Sequence, residues 1–91
     1  MIARRLAIYG RVQGVGFRWW AERTARGLRV AGWVRNRREG WVEAWVEGEA
    51  EAVEAFEQCC HQGPAAARVE RVEASDAQLS NLEVFEQRAT E

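Results

Sequence analysis

Between Gly10 and Arg18 the chain reads Gly-Arg-Val-Gln-Gly-Val-Gly-Phe-Arg, and no other stretch restricts the fold as much. Upstream, Leu6, Ile8, Gly10 and Val12 share one face of an extended segment, with Arg5, Ala7, Tyr9 and Arg11 on the other; that period of two predicts a strand. Downstream, Phe17, Trp20, Ala21, Thr24, Ala25 and Leu28 recur at helical spacing. A strand that turns through glycines straight into a helix gathers backbone N–H groups at the positive end of a helix dipole. Such a cradle suits a phosphate or carboxylate. Arg18 closes it with a planar, permanently charged fork able to grip an oxyanion through two bonds. Alone, Gly14-x-Gly16 marks only a turn, and Arg18 alone reads as a solvated arginine. Their adjacency carries the expectation of an anion site.

The remaining pattern sets the architecture. Gly27 is expected to stop the first helix in a left-handed conformation, with Leu28 folding back on it. Strands follow over Ala31–Arg37 and Trp41–Glu47, joined by Arg38-Glu39-Gly40, whose glycine takes a positive φ. In the third strand Val42, Ala44 and Val46 share one face, and Trp41, Glu43, Trp45 and Glu47 the other. A second helix spans Glu49–Gln62 with the stripe Ala52, Val53, Phe56, Cys59 and Cys60, and Gly63-Pro64 ends it. A fourth strand lies near Arg68–Ala74, although the three-residue step from Val69 to Val72 breaks its alternation; a short fifth lies near Leu82–Gln87. The order β-α-β-β-α-β gives the split-βαβ arrangement: α+β, a mainly antiparallel sheet with two helices on one face. Residues 1–91 read as a single domain.

Apolar residues make up 47% of the chain and charged residues 30%, which argues for a folded globular domain and against disorder. The formal net charge of −1 provides no bulk field to draw the chain to nucleic acid or an anionic membrane. All thirteen basic residues are arginine, so mechanisms built on lysine are excluded. Adjacent cysteines form a strained disulfide, so Cys59 and Cys60 are expected as free thiols continuing a core stripe in a reducing compartment. His61 falls in the last turn of the second helix, where a cation suits the dipole. No His, Cys or Asp cluster has metal-ligand spacing. With no segment of membrane-spanning length and no leader pattern, the expectation is a cytoplasmic protein.

With these residues in view, the chain resembles the acylphosphatase family. The resemblance rests on the loop Gly10–Arg18, on Gly32-Trp33-Val34-Arg35-Asn36 followed by Gly40, and on the Ala67-Arg68-Val69-Glu70-Arg71-Val72 strand, and it covers nearly the whole length. It implies a ferredoxin-like sandwich and the hydrolysis of carboxyl–phosphate anhydrides to carboxylate and inorganic phosphate. It further implies that backbone N–H groups of Gln13, Gly14, Val15, Gly16, Phe17 and Arg18 bind phosphate oxygens. Arg18 would grip the same group through its side chain, and Asn36 would orient the attacking water. No cofactor and no metal are implied; the expected partners are an acyl phosphate and phosphate, for a monomer without nucleic acid or membrane. Judged by residue type alone, Asn36 is a turn residue at a strand end.

Departures from the family pattern lie at Arg37 and at Arg38-Glu39, where two arginines beside Asn36 would add positive potential to the site. Trp19 is expected to flank the site and Trp20 to pack inward. Trp33, Trp45 and Tyr9 allow two readings. They would stack RNA bases on the sheet face that the helices leave open, or they would brace the sheet or lie under a C-terminal extension. Glu43 and Glu47 beside Trp45 argue against the first. A further alternative is a carbamoyl-phosphate-handling or regulatory domain, against which the end of the chain at Glu91 favours a free-standing enzyme.

Overall fold

The computed structural model describes every residue, Met1–Glu91. Its elements run β1 (Ile2–Arg11), α1 (Phe17–Leu28), β2 (Ala31–Asn36), β3 (Val42–Gly48), α2 (Ala50–Gln62), β4 (Arg68–Ala77) and β5 (Phe85–Gln87). They form one sheet in the order β4-β1-β3-β2-β5, antiparallel except where β5 runs parallel to β2. The helices pack on one face, α1 over β2 and β5 and α2 over β4, β1 and β3. This is the split-βαβ arrangement that the alternation predicts, with a short fifth strand at one edge.

The core forms where the period-two and helical stripes meet. Leu6, Ile8 and Val12 from β1 and its end, Val34 from β2, and Val42, Ala44 and Val46 from β3 lie in one buried cluster. Phe17, Ala21 and Ala25 of α1, Val30 before β2, Val53, Phe56 and Cys60 of α2, and Phe85 of β5 complete it. Phe56 and Phe85 meet with ring centroids 5.4 Å apart, which ties the last strand to the second helix. Burial pushes the Cys60 thiol well above its ordinary range, so that group is inert.

The broken alternation in β4 has a structural cause. Tyr9 pairs with Arg71 while its neighbour Gly10 pairs with Val69, so Glu70 is an extra residue bulged out of the ladder. The bulge lets Val69 and Val72, three residues apart, both pack against the core. Gly10 makes the bulge possible: at φ 127°, a Cβ there would stand 2.1 Å from the Arg68 carbonyl oxygen.

Helix α1 does not stop at Gly27. It runs through that glycine to Leu28, and Arg29 takes the left-handed position at φ 60°. The Arg29 and Val30 N–H groups donate to the Arg26 and Ala25 carbonyls, a Schellman closure. The reason is tertiary. Val30, which is buried, must reach the core as the chain enters β2, and a stop two residues earlier would deliver Leu28 there instead. The strand ends shift more modestly: β2 stops at Asn36, β3 starts at Val42, β4 continues to Ala77 and β5 shrinks to Phe85–Gln87.

The sheet face away from the helices is covered by its own side chains. Trp33 and Trp45 stack at 6.4 Å, and Tyr9 and Trp41 at 5.6 Å. Guanidinium groups lie over these rings: Arg35 and Arg88 on Trp33, Arg5 and Arg37 on Trp41, Arg71 on Tyr9. Beneath them Glu43, only 4% exposed, accepts from Arg5 Nε (2.7 Å), Arg35 Nε (2.7 Å) and Arg37 Nη1 (3.2 Å). Glu47, 3% exposed, accepts from Trp45 Nε1 and from the backbone N–H groups of Ser80 and Leu82. The aromatic set therefore braces the sheet, and Glu47 pins the 78–82 segment beside it.

Two predictions follow from this packing. Gly10→Ala should lower unfolding stability by more than about 2 kcal/mol, because backbone stands where the methyl must go. Gly27→Ala should raise stability by about 0.5–1 kcal/mol, since open space surrounds that helical position. Urea titration of both variants checks the opposite signs; equal shifts would contradict this account of the bulge.

Burial alone would raise the Glu43 and Glu47 carboxyls, but Arg35 and Arg5 around the first, and the Trp45 indole and loop N–H groups around the second, outweigh it and hold both below the usual carboxylate value. A depressed native pKa means stability that is complete above the unfolded value near 4.5 and is lost as pH falls through the native values. Urea midpoints measured from pH 6 to pH 2.5 should fall below about pH 4.5, and Glu43→Gln with Glu47→Gln should flatten that fall. An undiminished slope in the double variant would contradict the assignment.

Candidate functional site

The chain leaves β1 after Arg11 and enters α1 at Phe17, so residues 12–16 must turn it from the sheet layer to the helix layer. Gly14 (φ 73°) and Gly16 (φ 77°) take left-handed conformations that make this turn. Gly16 is the N-cap of α1 and, having no side chain, leaves the helix uncapped. The first helical N–H to find an acceptor on the loop is that of Trp20, on the Gly16 carbonyl at 3.0 Å. The N–H groups of Gln13 through Trp19 donate to no protein acceptor. No acidic residue lies in the first turn, and Arg18 sits there instead, at the helix end where a cation is disfavoured. Local stability is thus given up at this position in favour of concentrated positive potential.

Five residues of the loop and first turn line one concave pocket of about 170 Å³ with Val12, Asn36 and Gln87: Gly14, Gly16, Phe17, Arg18 and Trp19. Alternation along β2 brings Asn36 there, since it lies on the same face as the buried Val34 and at the strand's end. Arg18 and Asn36, far apart in sequence, therefore share the pocket. The sequence-predicted Gly14, Gly16, Phe17 and Arg18 are among its lining; Val15 packs half-buried against the core, and Gln13 turns its side chain to the Arg37 and Trp41 carbonyls and does not line the pocket. A larger groove of about 670 Å³ lies elsewhere, between Met1, Arg29, Val30 and the 79–85 segment.

Three features of the site escape sequence reasoning. The first is the Gln13 side chain, whose Nε2 donates to the carbonyls of Arg37 (2.7 Å) and Trp41 (2.9 Å). Those residues also bond each other across the base of the β2–β3 hairpin, Arg37 N–H to Trp41 carbonyl at 2.8 Å. Gln13 thus staples the glycine loop to the hairpin that carries Asn36. The second is the C-terminal tail. Arg18 Nη1 donates to the Arg88 carbonyl at 3.1 Å, and the Glu91 N–H donates to the Asn36 carbonyl at 3.1 Å. The tail lacks hydrophobic periodicity, so nothing in its sequence announces this docking.

The third is the orientation of Arg37. Its guanidinium does not add charge to the pocket, because β-strand alternation turns it to the opposite face, onto Glu43 and over Trp41. Its Nε is buried there with no acceptor, against that ring. Arg38 is exposed, and its backbone N–H donates to the Glu91 carbonyl.

A family model described as acylphosphatase matches residues 4–87 of the chain. An acylphosphatase of Thermococcus kodakarensis is 55% identical over 84 residues, spanning 92% of each protein. The crystal structure of acylphosphatase from Bacillus subtilis superposes with a TM-score of 0.94 at 32% identity, over 97% of this chain and 99% of that one. The chain is also similar to 12% of full-length HypF, solved in a phosphate- and nucleotide-bound form (TM-score 0.90, 27% identity, 98% of this chain).

Removing the staple should loosen the loop against Asn36. Gln13→Ala is expected to cost about 1–3 kcal/mol of unfolding stability for two lost side-chain bonds, read by urea titration. A loss below the scatter of the measurement would show that water replaces both bonds without penalty.

Proposed function

The chain belongs to the acylphosphatase family, and on that premise we propose that its Gln13–Arg18 loop is the phosphate cradle of an acyl-phosphate hydrolase in which Arg18 and Asn36 are the catalytic side chains. The observation that carries this reading is the run of unpaired backbone N–H groups from Gln13 to Trp19, in a segment whose Gly14, Gly16, Phe17, Arg18 and Trp19 line one pocket with Asn36.

The substrate phosphoryl group is a dianion, and charge in its transition state spreads over three equatorial oxygens. Donors already fixed around that position require no reorganisation as the charge develops, and each is worth about 10²–10³ in rate at comparable sites. Arg18 adds a full charge, and its bond to the Arg88 carbonyl aligns the guanidinium in advance. Asn36 has no titratable group, so it does not act as a base. Its amide accepts one hydrogen bond from a water and donates another, which fixes the line of attack on phosphorus. As the water oxygen bonds to phosphorus, the phosphorus–oxygen bond to the acyl group breaks and its electron pair leaves with the carboxylate. The water proton passes to a phosphoryl oxygen. A carboxylate is a good leaving group, so the step runs without a protein acid and without a cofactor. The same reading takes the protein as a cytoplasmic monomer whose partners are acyl phosphate and phosphate, with no nucleic acid.

Asn36→Ala should lower kcat by about 10²–10³ with little change in inhibition by inorganic phosphate. Arg18→Ala should weaken phosphate inhibition and turnover together. Benzoyl phosphate hydrolysis by folded protein, with chelator present, checks both. Near-native turnover by Asn36→Ala would refute the water-positioning role, and unchanged phosphate inhibition in Arg18→Ala would refute the grip.

A further inference from the structure

The phosphate pocket holds about 170 Å³, the share of roughly five or six waters in the liquid. A phosphoryl group and its attacking water occupy most of that, so the acyl portion of a substrate has to lie over the rim. At that rim stands Trp19, which is 57% exposed and is the one aromatic among the exposed large apolar side chains. Its neighbour Trp20 turns inward to meet Phe17 edge-on at 5.2 Å. Trp19 also lines a second, shallow depression of about 350 Å³ with Trp20, Arg23 and Thr24, and is the one residue common to both concavities.

A single exposed tryptophan on a helix needs no explanation by itself. Here a second feature accompanies it. Arg23, one turn along α1, lays its guanidinium 4.7 Å from the Trp19 ring centroid, and Arg23 has no carboxylate or carbonyl partner of its own. The stack restrains the indole, which stays more than half exposed and lines the pocket. Elsewhere in the protein the aromatic rings near arginines lie on the open sheet face; this pair stands on α1 beside the pocket.

We propose that Trp19, held by Arg23, is the acyl-group subsite and the specificity-determining residue of this enzyme, selecting acyl phosphates whose acyl group is planar and conjugated over those with a short aliphatic one. The inference rests on the phosphate-cradle reading of the adjoining loop. A flat acyl group leaving the cradle across the rim meets the indole at stacking distance, and aromatic contact adds binding beyond simple area burial. Because the contact is to the acyl portion and not to the reacting phosphorus, it acts on ground and transition states alike and is read mainly in KM. Arg23 is a positioning residue in this scheme.

The test compares kcat/KM for benzoyl phosphate and acetyl phosphate in wild type, Trp19→Ala, Trp19→Phe and Arg23→Ala, with circular dichroism to verify folding. Trp19→Ala should reduce the benzoyl-to-acetyl ratio by about tenfold, chiefly through the KM for benzoyl phosphate. Trp19→Phe should keep most of the preference, and Arg23→Ala should lose part of it. An unchanged ratio in Trp19→Ala overturns the subsite, as does a Phe variant that behaves like the Ala variant. Folded wild type that hydrolyses neither compound overturns the cradle reading itself, a result distinct from loss of preference alone.

Discussion

Strand β1 is hydrogen-bonded along both edges, to β3 and to β4, while its Leu6 and Ile8 lie fully buried in one cluster with Val53 and Phe56. It is the most constrained segment of the protein, and the glycine loop is its direct continuation. Because β1 cannot move without breaking two ladders, the point at which the chain leaves the sheet is fixed, and so is the N-terminus of α1 a few residues later. The N–H groups between them are therefore preorganised by the packing of residues that never approach the pocket. The bulge opposite Gly10 belongs to the same constraint, since it lets β4 stay paired with β1 while two valines out of step still reach the core.

Strand β2 shows how one short element serves both faces of the sheet. Val34 and Asn36 face the helices, whereas Trp33, Arg35 and, just beyond the strand, Arg37 face away. Positive charge is thereby separated by use. Arg18 remains at the pocket, while Arg35 and Arg37 are paired with Glu43, a buried carboxylate that would be costly without its three cationic partners. Gln13 and the tail bond bridge the remaining gaps, one tying the loop to the β2–β3 hairpin and the other holding Arg18.

Much of this was legible in the chain because it depends on local periodicity. The alternation in β1 and β3, the helical stripes, and the glycines of the loop each reflect a physical rule that operates over a few residues, and the family resemblance agreed with them. The anomalous Val69–Val72 step was visible as a break, but its meaning required knowing which residues of β1 it faced. Gly27 misled for a related reason. A glycine has the conformational freedom to end a helix, yet the helix ended where Val30 could reach the core, and Arg29 accepted a backbone region that glycine would have taken more easily. The aromatic residues left two readings open in sequence, because composition does not reveal which rings are already stacked on one another.

The sequence by itself determined the element order, the inward-facing stripes and the uncapped glycine entry into α1, all consequences of the preferences of neighbouring residues. Only the tertiary structure decided which long-range partners those elements would find: Asn36 beside Arg18, Gln13 against the hairpin carbonyls, Arg37 on the far face, the tail along β2, and Trp19 left open at the rim. Local preference fixes the direction in which a side chain leaves the backbone. What it meets there depends on strand register and helix packing, which are settled by the burial of the whole core at once.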